Sequence, residues 1–231
     1  MTDKDTSHNR HLAQPLPEVH KQSNGPPDNF VHHNDVNMTI TCFSCMGILP
    51  GDLMLEVGQG NGAHVLKFFD AVPQIRYQGL ELSWLMHHES VKLNQQSVSL
   101  GRARFTVYDG EKFPFKERTF DKIMTVNKLD FLADPLTFFI EAHRTLKDGG
   151  QFGIAFDPRE FVRSSSYIKP NLHLHRVEDF KKMIISAGFV DLLEINVHEK
   201  LLESDEFVGG RVCREFFVII ASKSEAVSQC A

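Results

Sequence analysis

From residue 51 onward, short unbroken apolar runs alternate with longer stretches in which apolar residues recur every three or four positions. The runs "LMLEV" (53–57), "IRYQGLEL" (75–82), "ARFTVYD" (103–109), "FDKIMTV" (120–126), "GQFGIAF" (150–156), "VDLLEINVH" (190–198) and "CREFFVIIASK" (213–223) read as strands. The intervening pattern predicts helices over about 63–71, 83–97, 134–147 and 176–187. The third is the best marked. Asp134 can cap it, Pro135 suits the first helical position, and Gly149-Gly150 stop the pattern. Gly188 stops the fourth. Strand–helix alternation predicts an α/β domain, a mostly parallel seven-stranded sheet with helices on both faces. Only "EKLLESDEFVGGR" separates the last two runs. That is more compatible with a hairpin-like, antiparallel last strand than with another crossover.

The first 28 residues lack any apolar period and end in "NGPPDN", which reads as a polar tail. Residues 29–50 carry enough apolar side chains for a helix or two, and Pro50-Gly51 then turn the chain. The domain proper is expected over 51–223, with a second short tail at 224–231. The chain is 42% hydrophobic and 24% charged, without a stretch near the ~18 apolar residues of a membrane span. Its first residues, "MTDKDTSHNR", lack the apolar core of a secretory signal, so a cytoplasmic protein is expected. The formal net charge is −5, with no Lys/Arg block, which argues against a nucleic-acid partner. Cys42 and Cys45 form a lone C-x-x-C; without a second pair they read as reduced thiols, and no metal is expected.

Candidate chemistry collects where the first run ends. "LMLEVGQGNGAHVL" places Gly58, Gly60 and Gly62 between a strand and a helix, a turn that brings bare backbone close to a ligand. Glu81 ends the second strand and follows Gly62 by 19 residues, near the ~20 expected of an acid that grips a ribose diol. So far NAD and S-adenosylmethionine fit equally, because Gly58-x-Gly60-x-x-Ala63 also satisfies the dinucleotide pattern. Glu56, just before the glycines, tilts the balance. A carboxylate there repels a pyrophosphate and attracts an ammonium and a sulfonium. Asp109, at the end of the third strand and followed by Gly110, is a short acid able to accept from an adenine amino group.

Taken in order, "LEVGQGNG", "GLELS" and "VYDGEKFPFKERTFDKIMTVNKLDFLADPLTFFIEAHRTLKDGG" resemble the class I S-adenosylmethionine-dependent methyltransferases, in particular the branch that includes the ubiquinone/menaquinone methyltransferases. The resemblance covers about residues 50–157. It implies a Rossmann-like three-layer sandwich and S-adenosyl-L-methionine as cofactor. It further implies a glycine loop under the methionine part, with Glu56 orienting that loop and the ammonium. Glu81 would hold the ribose with Leu82 beside the adenine, Asp109 and Gly110 would hold the adenine edge, and Val126 or Asn127 would meet the ammonium by a backbone carbonyl. Trp84 is a further candidate wall of the adenine pocket. After the fourth strand the chain reads "NKLDFL", where many relatives carry an aromatic or histidine pair, so Lys128, Asp130 and Phe131 line the mouth differently.

Methyl transfer asks chiefly for alignment and exclusion of water. A general base helps where the nucleophile carries a proton; Asp130 and His173 are the candidates, with His175, Arg159 and Tyr167 in the same region. Residues 29–50 are expected to fold as a lid over the sulfonium. The reading is a methyltransferase acting on a small-molecule acceptor. A catalytically silent S-adenosylmethionine-binding protein and an NAD-dependent oxidoreductase are the alternatives; the acceptor and the oligomeric state are not legible.

Overall fold

Parallel strands covered on both faces need continuous apolar runs rather than alternation, and this chain lays such runs side by side. The structure is a computed structural model and describes residues 28–132, 134–158, 173, 175–200 and 213–225. Its strands are β1 (Leu53–Val57), β2 (Arg76–Glu81), β3 (Ala103–Val107), β4 (Phe120–Val126), β5 (Leu146–Phe156), β6 (Val190–Lys200) and β7 (Cys213–Ser222). They form one sheet in the order β3-β2-β1-β4-β5-β7-β6. β1 to β5 pair in parallel, and β7 is antiparallel to both β5 and β6, as the short final connection predicts. The direction of winding reverses between β1 and β4. Ligands of open α/β sheets bind outside the carboxyl ends of the strands at such a reversal.

The helices are α1 (Asp28–Cys45), α2 (Val65–Ala71), α3 (Trp84–Leu93), α4 (Gln95–Ser99), α5 (Pro135–Thr145) and α6 (Val177–Ser186). Successive strand residues face opposite layers. Leu55, Val57 and Ile123 pack with Phe138, Phe139 and Phe180 of α5 and α6. Met54 and Met124 pack with Met38, Cys42 and Met46 from α1 and its end, and with Phe68 of α2. The result is the three-layer sandwich.

Local departures have local causes. The helix predicted over 83–97 breaks at Asn94, whose amide donates to the carbonyls of Gly62 and Ser90 and so leaves the helical path. α5 starts as predicted, with Asp134 accepting from the Thr137 amide. It ends at Thr145, and β5 begins at once, carrying Asp148-Gly149-Gly150 into the strand through a register shift against β4. The segment expected as a lid is helical, but Met38, Cys42 and Met46 are fully buried against the sheet, so these turns are part of the domain wall. Apart from Asp28, Ser224 and Glu225, the expected tails lie outside the described residues, as do Arg159 and Tyr167. Among the described residues no helix is long and apolar enough to cross a membrane.

Candidate functional site

The loop after β1 turns on backbone that side-chain-bearing residues rarely adopt. Gly58, Gly60 and Gly62 have φ of +80°, +60° and +63°, the left-handed region where only glycine escapes a steric penalty. The loop is anchored to its neighbour by the Gly58 amide, which donates to the Leu80 carbonyl at 2.7 Å. Gly58 also makes room for a side chain from the next strand end: a Cβ there would lie 2.6 Å from Lys128 Cγ, 2.9 Å from Cε and 3.0 Å from Cδ. Between the glycines, Gln59 turns under the loop, where only the bareness of Gly79 in β2 admits it. Its buried amide has no hydrogen-bond partner among the described residues.

The three candidate acids end three adjacent strands but are held differently. Glu56 is 2% exposed. Its Oε2 accepts from the Tyr77 hydroxyl at 2.6 Å and sits 2.8 Å from His64 Nε2, so it ties β1 to β2 and to the start of α2. That carboxylate oxygen is turned toward Tyr77 and His64. Burial, reinforced by Glu56, pushes the Tyr77 hydroxyl well above its ordinary pKa, so Tyr77 remains the donor. Glu81 accepts from the Gly60 amide at 2.9 Å through Oε2, and from the Leu82 and Ser83 amides at 2.8 and 3.2 Å through Oε1. It therefore clamps the glycine loop to the end of β2. Asp109 is exposed, and its Oδ1 accepts from the Glu111 amide at 3.0 Å across a turn in which Gly110 has φ +89°. Leu82 reaches that turn; a Cβ on Gly110 would lie 3.1 Å from Leu82 Cδ2. The structure thus brings Leu82 and Gly110 together. Trp84, by contrast, is 74% exposed and stands edge-on to His87 rather than walling that turn.

The end of β4 is built as rigidly as the loop it faces. The Thr125 hydroxyl donates to the Val57 carbonyl at 2.9 Å, locking β4 to β1. Val126 is buried. Asn127 adopts φ +51°, unusual for a residue with a side chain. It is held there from two sides. Its amide donates to the Ala155 carbonyl at 2.9 Å, and its side chain exchanges hydrogen bonds with Asp157, at 3.3 Å to the carboxylate and 3.2 Å from the backbone amide. Asp157 is in turn gripped by both Nε and Nη2 of buried Arg214, each at 2.7 Å. Asp130 follows in a single 3-10 turn, Leu129–Phe131. Burial, with the Asp157 charge adding to it, raises its carboxyl pKa to about 6. The His173 amide donates to the Asp130 carbonyl at 2.8 Å, so these two candidates are adjacent; the His173 side chain is exposed. His175 instead lies beside Phe180 of α6, ring centroids 5.1 Å apart.

Sequence reasoning missed Tyr77, His64, Asp157 and Arg214. No local pattern marks them: Tyr77, Asp157 and Arg214 act across strands, and His64 reaches back over the glycine loop to Glu56. Among the described residues no group of three or more His, Cys, Asp or Glu could hold a metal ion. The Cys42 thiol is buried, and burial, with smaller contributions from Cys45 and Glu56, pushes its pKa well up.

Residues 55–154 match the family model described as a methyltransferase domain. The chain is 29% identical over 147 residues, 64% of its length and 76% of the relative's, to the uncharacterized methyltransferase YdaC of Bacillus subtilis. Among solved structures it is similar to the geranyl diphosphate C-methyltransferase of Streptomyces coelicolor, a complex with S-adenosyl-L-homocysteine (TM-score 0.65, 14% identity, 83% of this chain and 80% of that one). It is also similar to the Haemonchus contortus phosphoethanolamine N-methyltransferase 2 in complex with S-adenosyl-L-methionine (TM-score 0.64, 16% identity, 82% and 53%).

Proposed function

We propose that this chain, whose methyltransferase domain is of the class I S-adenosylmethionine-dependent kind, transfers the methyl group of that donor to a small-molecule acceptor by in-line displacement. One observation carries the reading: a loop of three left-handed glycines at the sheet's reversal point, clamped by the carboxylate of Glu81. The residues fit the donor. Gly58 is bare where a Cβ would collide with Lys128, and acids end β2 and β3.

When bound, the donor supplies a methyl group on a sulfonium, a carbon already activated toward a nucleophile. The protein's work is placement. The glycine loop offers backbone beneath the methionine part, and the backbone carbonyls of Val126 or Asn127 accept from its ammonium. Glu81 accepts from the ribose hydroxyls; a carboxylate has about four acceptor sites, and backbone amides use three. Leu82 packs beside the adenine, with Asp109 and Gly110 along its edge. Alignment of this kind lowers a barrier by ~7–11 kcal/mol. Asp130, with a pKa of about 6, would take the proton of a hydroxyl or amine acceptor, and the donor would supply the methyl group. His173 lies beside it as the second candidate.

Calorimetric titration with S-adenosylmethionine, S-adenosylhomocysteine and NAD tests the reading. Both adenosyl ligands should bind, and Glu81→Ala should weaken them by ~1.5–3 kcal/mol. Tight NAD binding without binding of the sulfonium donor would reverse it.

A further inference from the structure

Lys128 lies along the floor of this site. Its Cγ, Cδ and Cε all come within 3.0 Å of where a Gly58 side chain would begin. The residue is half-buried, and among the described residues its ammonium has neither a hydrogen bond nor an ion pair. The acids around it are engaged. Glu56 Oε2 belongs to Tyr77 and His64, Glu81 to three backbone amides, and Asp157 to Arg214. A half-buried cation without a counter-charge beside a ligand loop calls for an anion from outside.

The donor's methionine part supplies one. It is zwitterionic, an ammonium and a carboxylate on the same carbon. Acids and backbone carbonyls suit the ammonium, but they repel the carboxylate. Arg214, the other buried cation at this end of β4 and β5, is spent on Asp157. Lys128 follows Asn127 directly, so its base is fixed by the Asn127–Asp157–Arg214 network while its tip can swing. A flexible stem ending in a point charge fits a group that must enter past it.

We propose that Lys128 is the counter-charge for the carboxylate of the donor's methionine part, lifting from Gly58 to pair with it. The inference rests on the donor-site reading above. The test is calorimetry with two probes, S-adenosylmethionine and its decarboxylated analogue, which keeps the sulfonium and ammonium. The wild type should favour the full donor by about tenfold or more, the scale of a charge-assisted hydrogen bond. Lys128→Met, which keeps the apolar stem, should weaken the full donor about tenfold and leave the decarboxylated analogue unchanged; Lys128→Arg should restore most of the difference. Equal affinity of the wild type for both probes, or an equal loss for both in Lys128→Met, would overturn the proposal with the donor site intact. Binding of neither probe to the wild type would instead remove the donor site, and this proposal with it.

Discussion

The Arg214–Asp157 pair offers the sharpest test of how the site is held. The two side chains are 4% and 13% exposed, with N–O contacts of 2.7 Å. Arg214→Met keeps much of the apolar stem and removes the charge, so the cavity contribution is small. Asp157 is left with the Asn127 amide at 3.3 Å. Removing one partner of a buried ion pair costs about 3–5 kcal/mol, because the survivor is an uncompensated charge. The residual exposure of Asp157 admits water, which places the cost near the lower end, about 3 kcal/mol. In a chain of this size that lowers the melting temperature by about 6–12 °C. Urea unfolding followed by far-UV circular dichroism at pH 7 measures it, provided the dependence on urea is unchanged.

The informative variant is the double one. Arg214→Met with Asp157→Asn removes both charges of the pair, so it should recover more than half of the single variant's loss, about 2 kcal/mol; with Asp157→Asn measured alone as well, the cycle should depart clearly from additivity. The single variant should also weaken donor binding, because Asn127 loses the restraint that keeps it at φ +51°. A loss under about 1 kcal/mol in Arg214→Met, or strict additivity in the double variant, would refute the idea that this pair is a buried clamp on the β4 end.

Asp130→Asn should abolish the acid limb of the pH–rate profile, which in the wild type should rise through about pH 6 and then level off; an unchanged profile would remove Asp130 as base. The same residue makes a stability prediction of definite sign. The folded state binds its proton more tightly than the unfolded chain, whose carboxyl titrates near pH ~4. Its contribution to stability therefore declines as the pH rises from about 4 to about 6, and in urea unfolding the stability of the wild type relative to Asp130→Asn should fall across that window. Gly58→Ala, at φ +80° and with its Cβ 2.6 Å from Lys128 Cγ, should cost about 1–2 kcal/mol of stability and abolish donor binding in calorimetry; wild-type affinity in that variant would sink the cradle.

Element by element, the fold was readable because the strands are buried on both faces. "LMLEV" and "FDKIMTV" leave little choice of structure, and the observed β1 and β4 coincide with them. Boundaries failed where one distant contact decided them. Nothing local in "VKLNQQSVS" says that Asn94 will donate to Gly62, 32 residues earlier, and break the helix. The segment 29–50 was legible as helix but not as wall, because its apolar residues are spaced loosely. Only the sheet beneath shows that Met38, Cys42 and Met46 share one buried side. In the candidate site, the residues that a loop or a strand end marks could be proposed from the sequence. Those that act on another residue across the sheet, such as Tyr77 on Glu56 or Arg214 on Asp157, could not.

That difference changes the electrostatic argument. Read along the chain, Glu56 stands before the glycines as a charge aimed at the ligand, enough by itself to refuse a pyrophosphate. In the fold its Oε2 is turned toward Tyr77 and His64, while Lys128 packs against Gly58 of the loop and would, alone, welcome a phosphate. Discrimination then depends on the whole set of charges at the mouth. A pyrophosphate brings two negative charges to a loop flanked by Glu81 and Asp109, with one lysine to meet them. A methionine tail brings one charge of each sign, and the sulfonium adds a positive one. On the proposed reading the backbone carbonyls at the end of β4 would take the ammonium, Glu81 the ribose hydroxyls, and Lys128 the carboxylate. At an effective dielectric of about 20, an unmatched unit charge about 6–8 Å away costs about 2–3 kcal/mol. In the proposed site, the one extra unmatched negative charge of a pyrophosphate would by itself favour the sulfonium donor by about one to two orders of magnitude.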